Sequence, residues 1–396
     1  MKKQFHLLAI ILLLFSCSPV NKVLNGGSLK ETSFTEKIPF SFDFGVPIIK
    51  VNINGKEYNF LFDTGAPTVI SPDLIAELNL KSAAKAKTTD SQGNSNQQNF
   101  VKVPNIKIGN LNFENIGAVV IDMKKIFEFK CMNFDGIIGA NQMQKAIWEI
   151  DYQTKMITIS NELTGFNIPT SAEVLNFTPK KLQKTPMVAV KIGDKTANVT
   201  FDTGATTDFN LPFLIYKNEI ATFKGIEAIG NSSSGIYGAS KSSTTTYKKI
   251  PSFTIGNMPL KDQIVTFSEG STAIIGNTLF KNYRLILNWN ENKIYMVKIA
   301  DSKNTKYESF GIGLRYINNK PTIAKIFKNT AAEKSGVLVN DQIIALDGKN
   351  TSNFTEAEAC FNSFNSILTG KSVISITVLR EGKKLDFQLK KQTILE

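Results

Sequence analysis

Two short stretches of this 396-residue chain could do chemistry together. Phe60-Leu61-Phe62-Asp63-Thr64-Gly65-Ala66 returns as Val199-Thr200-Phe201-Asp202-Thr203-Gly204-Ala205. Each Asp ends an apolar run. One Asp-Thr-Gly arises readily by chance. Two copies, each after a hairpin-like strand pair and each followed by Ala, read as two halves of one site. Neighbouring carboxylates cannot both ionise cheaply, so such a pair shares a proton over a range of pH. The ionised member can take a proton from a water, and the protonated member can hydrogen-bond a carbonyl, with no metal and no covalent intermediate. The alternative is structural: two tight turns whose Asp side chains bind backbone amides.

The elements that must position these carboxylates repeat as well. In the first half, Val46 to Asn52 and Tyr58 to Phe62 read as strands joined by the hairpin signal Asn54-Gly55. Gly65 fits a tight turn without room for a side chain. Ser71, Pro72 and Asp73 read as N-cap, first helical residue and favourable first-turn charge of a short helix. Residues 85 to 99 are polar, and read either as a solvated loop or as the tip of a hairpin that closes over substrate. Asp135-Gly136-Ile137-Ile138-Gly139 suits a strand passing close beneath other backbone. Trp148 to Ile159 reads as a hairpin turning at Gln153-Thr154. In the second half, Val188 to Ile192, Gly193-Asp194, Pro251 to Asn257, Ala273 to Asn277 and Leu285 to Val297 repeat these pieces in order. The second polar stretch, 228 to 246, contains Gly235-Ile236-Tyr237-Gly238.

The paired Asp-Thr-Gly turns, each followed later by aliphatic-aliphatic-Gly, resemble aspartic proteases of the pepsin and retroviral type over residues 38 to 300. The resemblance implies a mainly β, bilobal, double β-barrel-like body with one catalytic Asp per lobe, here Asp63 and Asp202. It implies support from Thr64, Gly65, Thr203 and Gly204, the threonines exchanging hydrogen bonds beneath the site. It suggests Tyr237 and Gly238 as flap residues, although the family's flap tyrosine lies in the first lobe. Pepsin-like enzymes usually carry Ser or Thr where this chain has Ala66 and Ala205. Without those hydroxyls the expected pH optimum is weakly acidic to neutral. Retroviral members complete the site by dimerising; this chain carries both halves and is expected to act as a monomer.

Residues 305 to 396 open with Phe310-Gly311-Ile312-Gly313-Leu314 and resemble a bacterial protease-associated PDZ domain, of α+β class. Thr355-Glu356-Ala357-Glu358 is a capping box, with its helix running to about Leu368. Val373 to Leu379 and Leu385 to Leu389 read as a hairpin across Glu381-Gly382. The resemblance implies that the loop of residues 310 to 314 holds a peptide's terminal carboxylate, and that the peptide adds as a strand beside the one beginning at Leu314. Asn340-Asp341 stands where the family usually has Gly-Asp. A domain that merely packs on the protease body is the alternative.

The remaining composition narrows the choices. His6 is the only histidine and lies in the leader, which excludes His-based triads and His-built zinc sites from the mature chain. The formal charge of +12 comes almost wholly from scattered Lys, the only Arg being Arg284, Arg315 and Arg380; this argues against nucleic-acid binding. Met1-Lys2-Lys3 followed by the apolar run Leu7 to Phe15 reads as a signal peptide, 1 to 16. Leu14-Phe15-Ser16-Cys17 resembles a bacterial lipobox, with Cys17 lipidated. Residues 17 to 37 read as a flexible tether. Cys131 and Cys360 read as two separate buried thiols in different domains.

The expected organisation is a first lobe at 38 to 160, a linker at 161 to 184, a second lobe at 185 to 300 and the PDZ domain. The expected protein is an aspartic endopeptidase of a bacterial envelope, without cofactor or metal, lipid-anchored to the outer membrane facing the periplasm. Its partners would be peptide or protein substrates, C-terminal peptides at the PDZ groove and the membrane. The second hypothesis is a peptide-binding lipoprotein that does not hydrolyse.

Overall fold

A computed structural model describes residues 19–231, 233–301 and 305–396. The signal segment and Cys17 lie outside the described residues. The architecture is mainly β, in two lobes and a C-terminal module.

Each lobe is built around its Asp strand. In the first, Ile48–Ile53 and Lys56–Asp63 form an antiparallel hairpin. Its turn places Asn54 and Gly55 at φ of 54° and 83°, the left-handed region that Asn and Gly tolerate best. Gly136–Gly139 runs parallel to the Asp strand, with Asp63 opposite Gly139. A side chain at Gly139 would place its Cβ 2.1 Å from the Pro67 carbonyl carbon, so the aliphatic-aliphatic-Gly signal reflects a close backbone crossing. The second lobe repeats this: Pro186–Ile192 pairs with Lys195–Phe201, which runs parallel to Ile274–Ile275. The Ser71 hydroxyl caps the helix Pro72–Glu77 by accepting from the Leu74 amide.

The closing hairpins of both lobes join in a shared floor. Ile147–Asp151 pairs with Tyr283–Asn288, so one sheet crosses from lobe to lobe. Arg284 pairs with Glu149 across that seam. Trp148, Leu285 and Leu287 are fully buried there, in a core continuous between the lobes. The segment 161 to 184 is more than a linker, because Glu173–Asn176 adds a strand to the edge of this floor.

Two further expectations are corrected. Residues 19 to 37 are not a flexible tether: Pro19–Leu24 is helical, and Thr35–Ser41 is a strand pairing with Met156–Ser160. Val23 and Leu24 are buried against the first lobe, and burying two aliphatic side chains outweighs the polar bias of the segment. Cys131 and Cys360 are not separate thiols but form a disulfide between the first lobe and the C-terminal module.

The C-terminal module is anchored differently on each lobe. Its strand Lys320–Phe327 pairs with Gly225–Gly230 of the second lobe, so the sheet runs on from one into the other. Tyr247, Phe327, Tyr307 and Leu395 pack beneath this junction. Toward the first lobe it presents one stripe of the helix Glu356–Asn365, with residues four apart on one face. Glu356 pairs with Lys130 at 2.6 Å, Cys360 bonds Cys131, and the Phe364 ring meets Phe44 at 4.7 Å. Phe127 stacks on Tyr316 and packs with Phe354 and Ala359, filling one end of the space between this helix and the strand Ile312–Ile317.

Within the module, Thr355 and Glu358 form the capping box, but the helix ends at Asn365, three residues early, because Ser366 adopts φ 46°. Asn340 takes φ 75°, which explains why Asn can stand where Gly is usual. The strand after the 310 to 314 loop begins at Ile312 and not at Leu314. Phe310 and Ile312 point into the module's core, and Gly311 sits at φ 84° against Thr330.

Candidate active site

Asp63 and Asp202 meet at the floor of a cleft of about 1180 Å³ between the lobes. Their carboxyl groups hydrogen-bond each other. Each rests on the opposite lobe's glycine: a Cβ on Gly65 would lie 2.4 Å from the Asp202 carboxyl carbon, and one on Gly204 would lie 2.4 Å from that of Asp63. Glycine is therefore required at both positions by the partner carboxylate, not by backbone angle. Each Asp also accepts from the amide two residues on, Gly65 to Asp63 at 2.7 Å and Gly204 to Asp202 at 2.8 Å.

The threonines beneath hold the loops together. Thr64 Oγ1 donates to the Phe201 carbonyl at 2.5 Å and accepts from the Thr203 amide at 3.0 Å. Thr203 Oγ1 donates to the Phe62 carbonyl at 2.9 Å and accepts from the Thr64 amide at 3.0 Å. Both threonines are fully buried, so each hydroxyl is satisfied only by the opposite lobe.

The electrostatics favour one shared proton. Burial, then the neighbouring Asp202 charge and its hydrogen bond, pushes Asp63 well above the usual carboxylate range. Burial also raises Asp202, while the hydrogen bond from Asp63, the Gly204 amide and the charge of Lys180 pull it back. The two carboxyls therefore share one proton, and the pair titrates as a unit. Among the described residues no three His, Cys, Asp or Glu side chains are grouped to hold a metal ion.

Two hairpins roof the cleft. The first lobe supplies Ala84–Thr89 and Ser95–Ile108; the second supplies Gly225–Gly230 and Ser243–Ile255. Their tips meet. The Tyr237 amide donates to Asp90 at 2.9 Å, its hydroxyl bonds that of Thr88, and Asn94 donates to the Ala239 carbonyl at 3.1 Å. Tyr237 and Gly238 thus lie at the tip of the second hairpin, and the polar stretch 85 to 99 is the first.

Residues 49–141 match the family model described as aspartyl protease, and residues 309–390 match the PDZ domain model. The chain carries an aspartyl protease domain and a PDZ domain. No curated protein matches it. The second lobe lies outside both matches; its kinship to the aspartyl protease domain rests on the repeated motif, strand order and loop geometry above.

Several site residues are not singled out as site residues by the sequence reading. Asn277 donates to the Thr203 and Ala205 carbonyls at 2.6 and 3.0 Å and accepts from Tyr152, holding the second loop. Gln183 and Thr185 brace the first by donating to the Gly65 carbonyl. Asn277 follows the aliphatic-aliphatic-Gly signal directly, as Asn141 follows it by one residue in the first half, so the repeat could have flagged both. Lys180 lines the cleft, as does Lys325 from the PDZ domain.

Proposed function

We propose that this protein is an aspartic endopeptidase, with Asp63 and Asp202 as its catalytic pair. The observation that carries this reading is the hydrogen-bonded carboxyl pair, each member seated on the other lobe's glycine under a roofed cleft. A water between the carboxyls gives a proton to the ionised member of the pair as it attacks the peptide carbonyl. The protonated member hydrogen-bonds the carbonyl oxygen as it gains charge. The tetrahedral diol collapses with proton return to the leaving nitrogen. The threonine exchange fixes the distance between the carboxyls, which keeps both in reach of one water. Tyr237 and Gly238 would act as part of the flap that excludes solvent.

Both halves in one chain support monomeric catalysis. The PDZ loop at Phe310 to Leu314 would recruit or regulate substrates through C-terminal peptides. Cys17 would carry the lipid in the bacterial envelope. Since a helix begins at Pro19 and Pro19 and Val20 line the cleft, an anchor at Cys17 would hold the cleft near the membrane surface.

The test is cleavage of a denatured protein and a peptide library from pH 3 to 8, by the wild type and by Asp63→Asn and Asp202→Asn. Cleavage lost in both variants supports the reading. Cleavage that survives in both refutes it, and no cleavage by any form favours the non-hydrolytic peptide-binding protein.

A further inference from the structure

Apolar and polar patches line the cleft. Val20, Leu24, Phe44, Phe129 and Met132 line it from the first lobe. The second side is lined by Asn210, Thr245, Thr266, Ser268 and Ser271, and then by Lys325, which belongs to the PDZ domain. Lys325 reaches the cleft because its strand pairs with the second hairpin, Gly230 opposite Lys325. Gly230 sits at φ 102°, and a Cβ there would lie 2.2 Å from the Ala324 carbonyl oxygen. A glycine at this point lets the PDZ strand close against the hairpin and deliver its lysine.

Lys325 is only 8% exposed. It donates to the Tyr247 hydroxyl at 2.9 Å and lies 5.5 Å from that ring's centroid. No carboxylate among the described residues is within ion-pair reach, and burial alone pulls its pKa down to about 8, so it remains largely charged at neutral pH. An ammonium has three donors, and one phenolic oxygen satisfies one of them. Burying a charge without a counter-ion is costly unless something else offsets it. A ligand carboxylate would supply that counter-ion, beside the hydroxyls and amide of Asn210, Thr245, Thr266, Ser268 and Ser271.

We propose that Lys325 is a carboxylate-binding site of the cleft, lent to the second lobe by the PDZ domain, and that it takes an acidic side chain or the C-terminal carboxylate of a bound peptide. The PDZ domain is then part of the specificity wall, whatever its own groove binds. This rests on the cleft's binding peptides as proposed above.

The test uses the full chain in detergent and a randomised decapeptide library in three forms: free carboxylates, C-terminal amide only, and all carboxyls amidated. Cleavage sites are mapped by mass spectrometry for the wild type, Lys325→Met and Lys325→Arg. The wild type should prefer the free form. Asp or Glu, or the free C-terminus, should be enriched about tenfold at one fixed distance from the cut, the scale of a charge-assisted hydrogen bond. The C-terminal amide form separates the two sources. Lys325→Met should lose both the enrichment and the preference for the free over the fully amidated library, and Lys325→Arg should keep part of each. A melting temperature of Lys325→Met no lower than that of the wild type checks that the domain remains docked. Identical profiles for the wild type and Lys325→Met would overturn the proposal. If the wild type cuts nothing, the peptidase reading fails separately, and retention of the three libraries decides. Selective retention of free carboxylates that is lost in Lys325→Met supports the site; equal retention overturns it.

Discussion

The two hairpins over the cleft occupy corresponding places in the repeat, yet their outer edges meet different fates. In the first lobe Ala84–Thr89 pairs, among the described residues, only with Ser95–Ile108, and its burial alternates between exposed and half-buried. In the second lobe the equivalent strand Gly225–Gly230 is covered by the PDZ strand Lys320–Phe327. A free edge can bend as a flap, whereas an edge built into a larger sheet moves only with its neighbour. The comparison teaches that two lobes of like strand order differ through what is joined to each. One hairpin keeps an outer edge without a strand against it among the described residues, and the other is a mount. The disulfide and the aromatic contacts then tie the mounted domain back to the first lobe, so the PDZ domain bridges the cleft.

The largest expected effect tests the part of the lobes that stayed symmetric. Asp63→Asn and Asp202→Asn should each lower kcat by about 10³-fold or more, measured by initial rates; a variant retaining a tenth of the activity would show that one lobe suffices. Both carboxyls are raised by burial, so the folded site binds more protons than the unfolded chain above the ordinary carboxylate range. Stability therefore falls as pH rises from that range through the folded values. Either Asn variant should accordingly melt higher than the wild type at pH 7, with the gain shrinking toward pH 4. The raised pair also agrees in direction with a pH optimum milder than strongly acidic.

Next come the two attachments of the PDZ domain. Dithiothreitol or Cys360→Ser should weaken the tie to the first lobe by roughly 2–4 kcal/mol, typical of a disulfide. Hydrogen exchange should rise over residues 126 to 133 and 356 to 365 and stay unchanged at 228 to 230. Gly230→Val should do the reverse, because its Cβ collides with Ala324 and its φ is disfavoured. If either change loosens both attachments equally, the distinction between mount and tie is wrong.

Thr64→Val and Thr203→Val should each cost about 1–3 kcal/mol by leaving a buried amide without its partner. Their effects on thermal melting should match, and the double variant should cost less than the sum because they share one network. Tyr237→Phe should have the smallest effect. It removes one hydroxyl contact between the hairpin tips, worth about 1 kcal/mol, and should raise KM a few-fold with kcat little changed.

Much of this was legible along the chain because the signals are local. Asn54-Gly55 specifies a left-handed turn, Ser71 and Thr355 cap helices within three residues, and alternation marks the strands. The glycines of both motifs were readable as tight positions, though what crowds them is the carboxylate of the other lobe. The helix Pro19–Leu24 was hidden because its six residues are too few to show a period and the residues that follow it are mostly polar. Helix and strand boundaries moved where one residue, such as Ser366 at φ 46°, departed from its prior.

By itself the sequence determined the two-fold repeat, the carboxylates that face one another, the mainly β lobes and the identity of the C-terminal domain. The repeat and the β pattern follow from spacing and composition, and the paired carboxylates and the C-terminal domain from the families that those motifs resemble. Only the tertiary structure decided that Cys131 bonds Cys360 across 229 positions, that the hairpin tips close on each other, and that a PDZ lysine lines the cleft. Those contacts join surfaces that the chain brings together only after each domain has formed. Their energy depends on relative placement, to which local propensity and periodicity are blind.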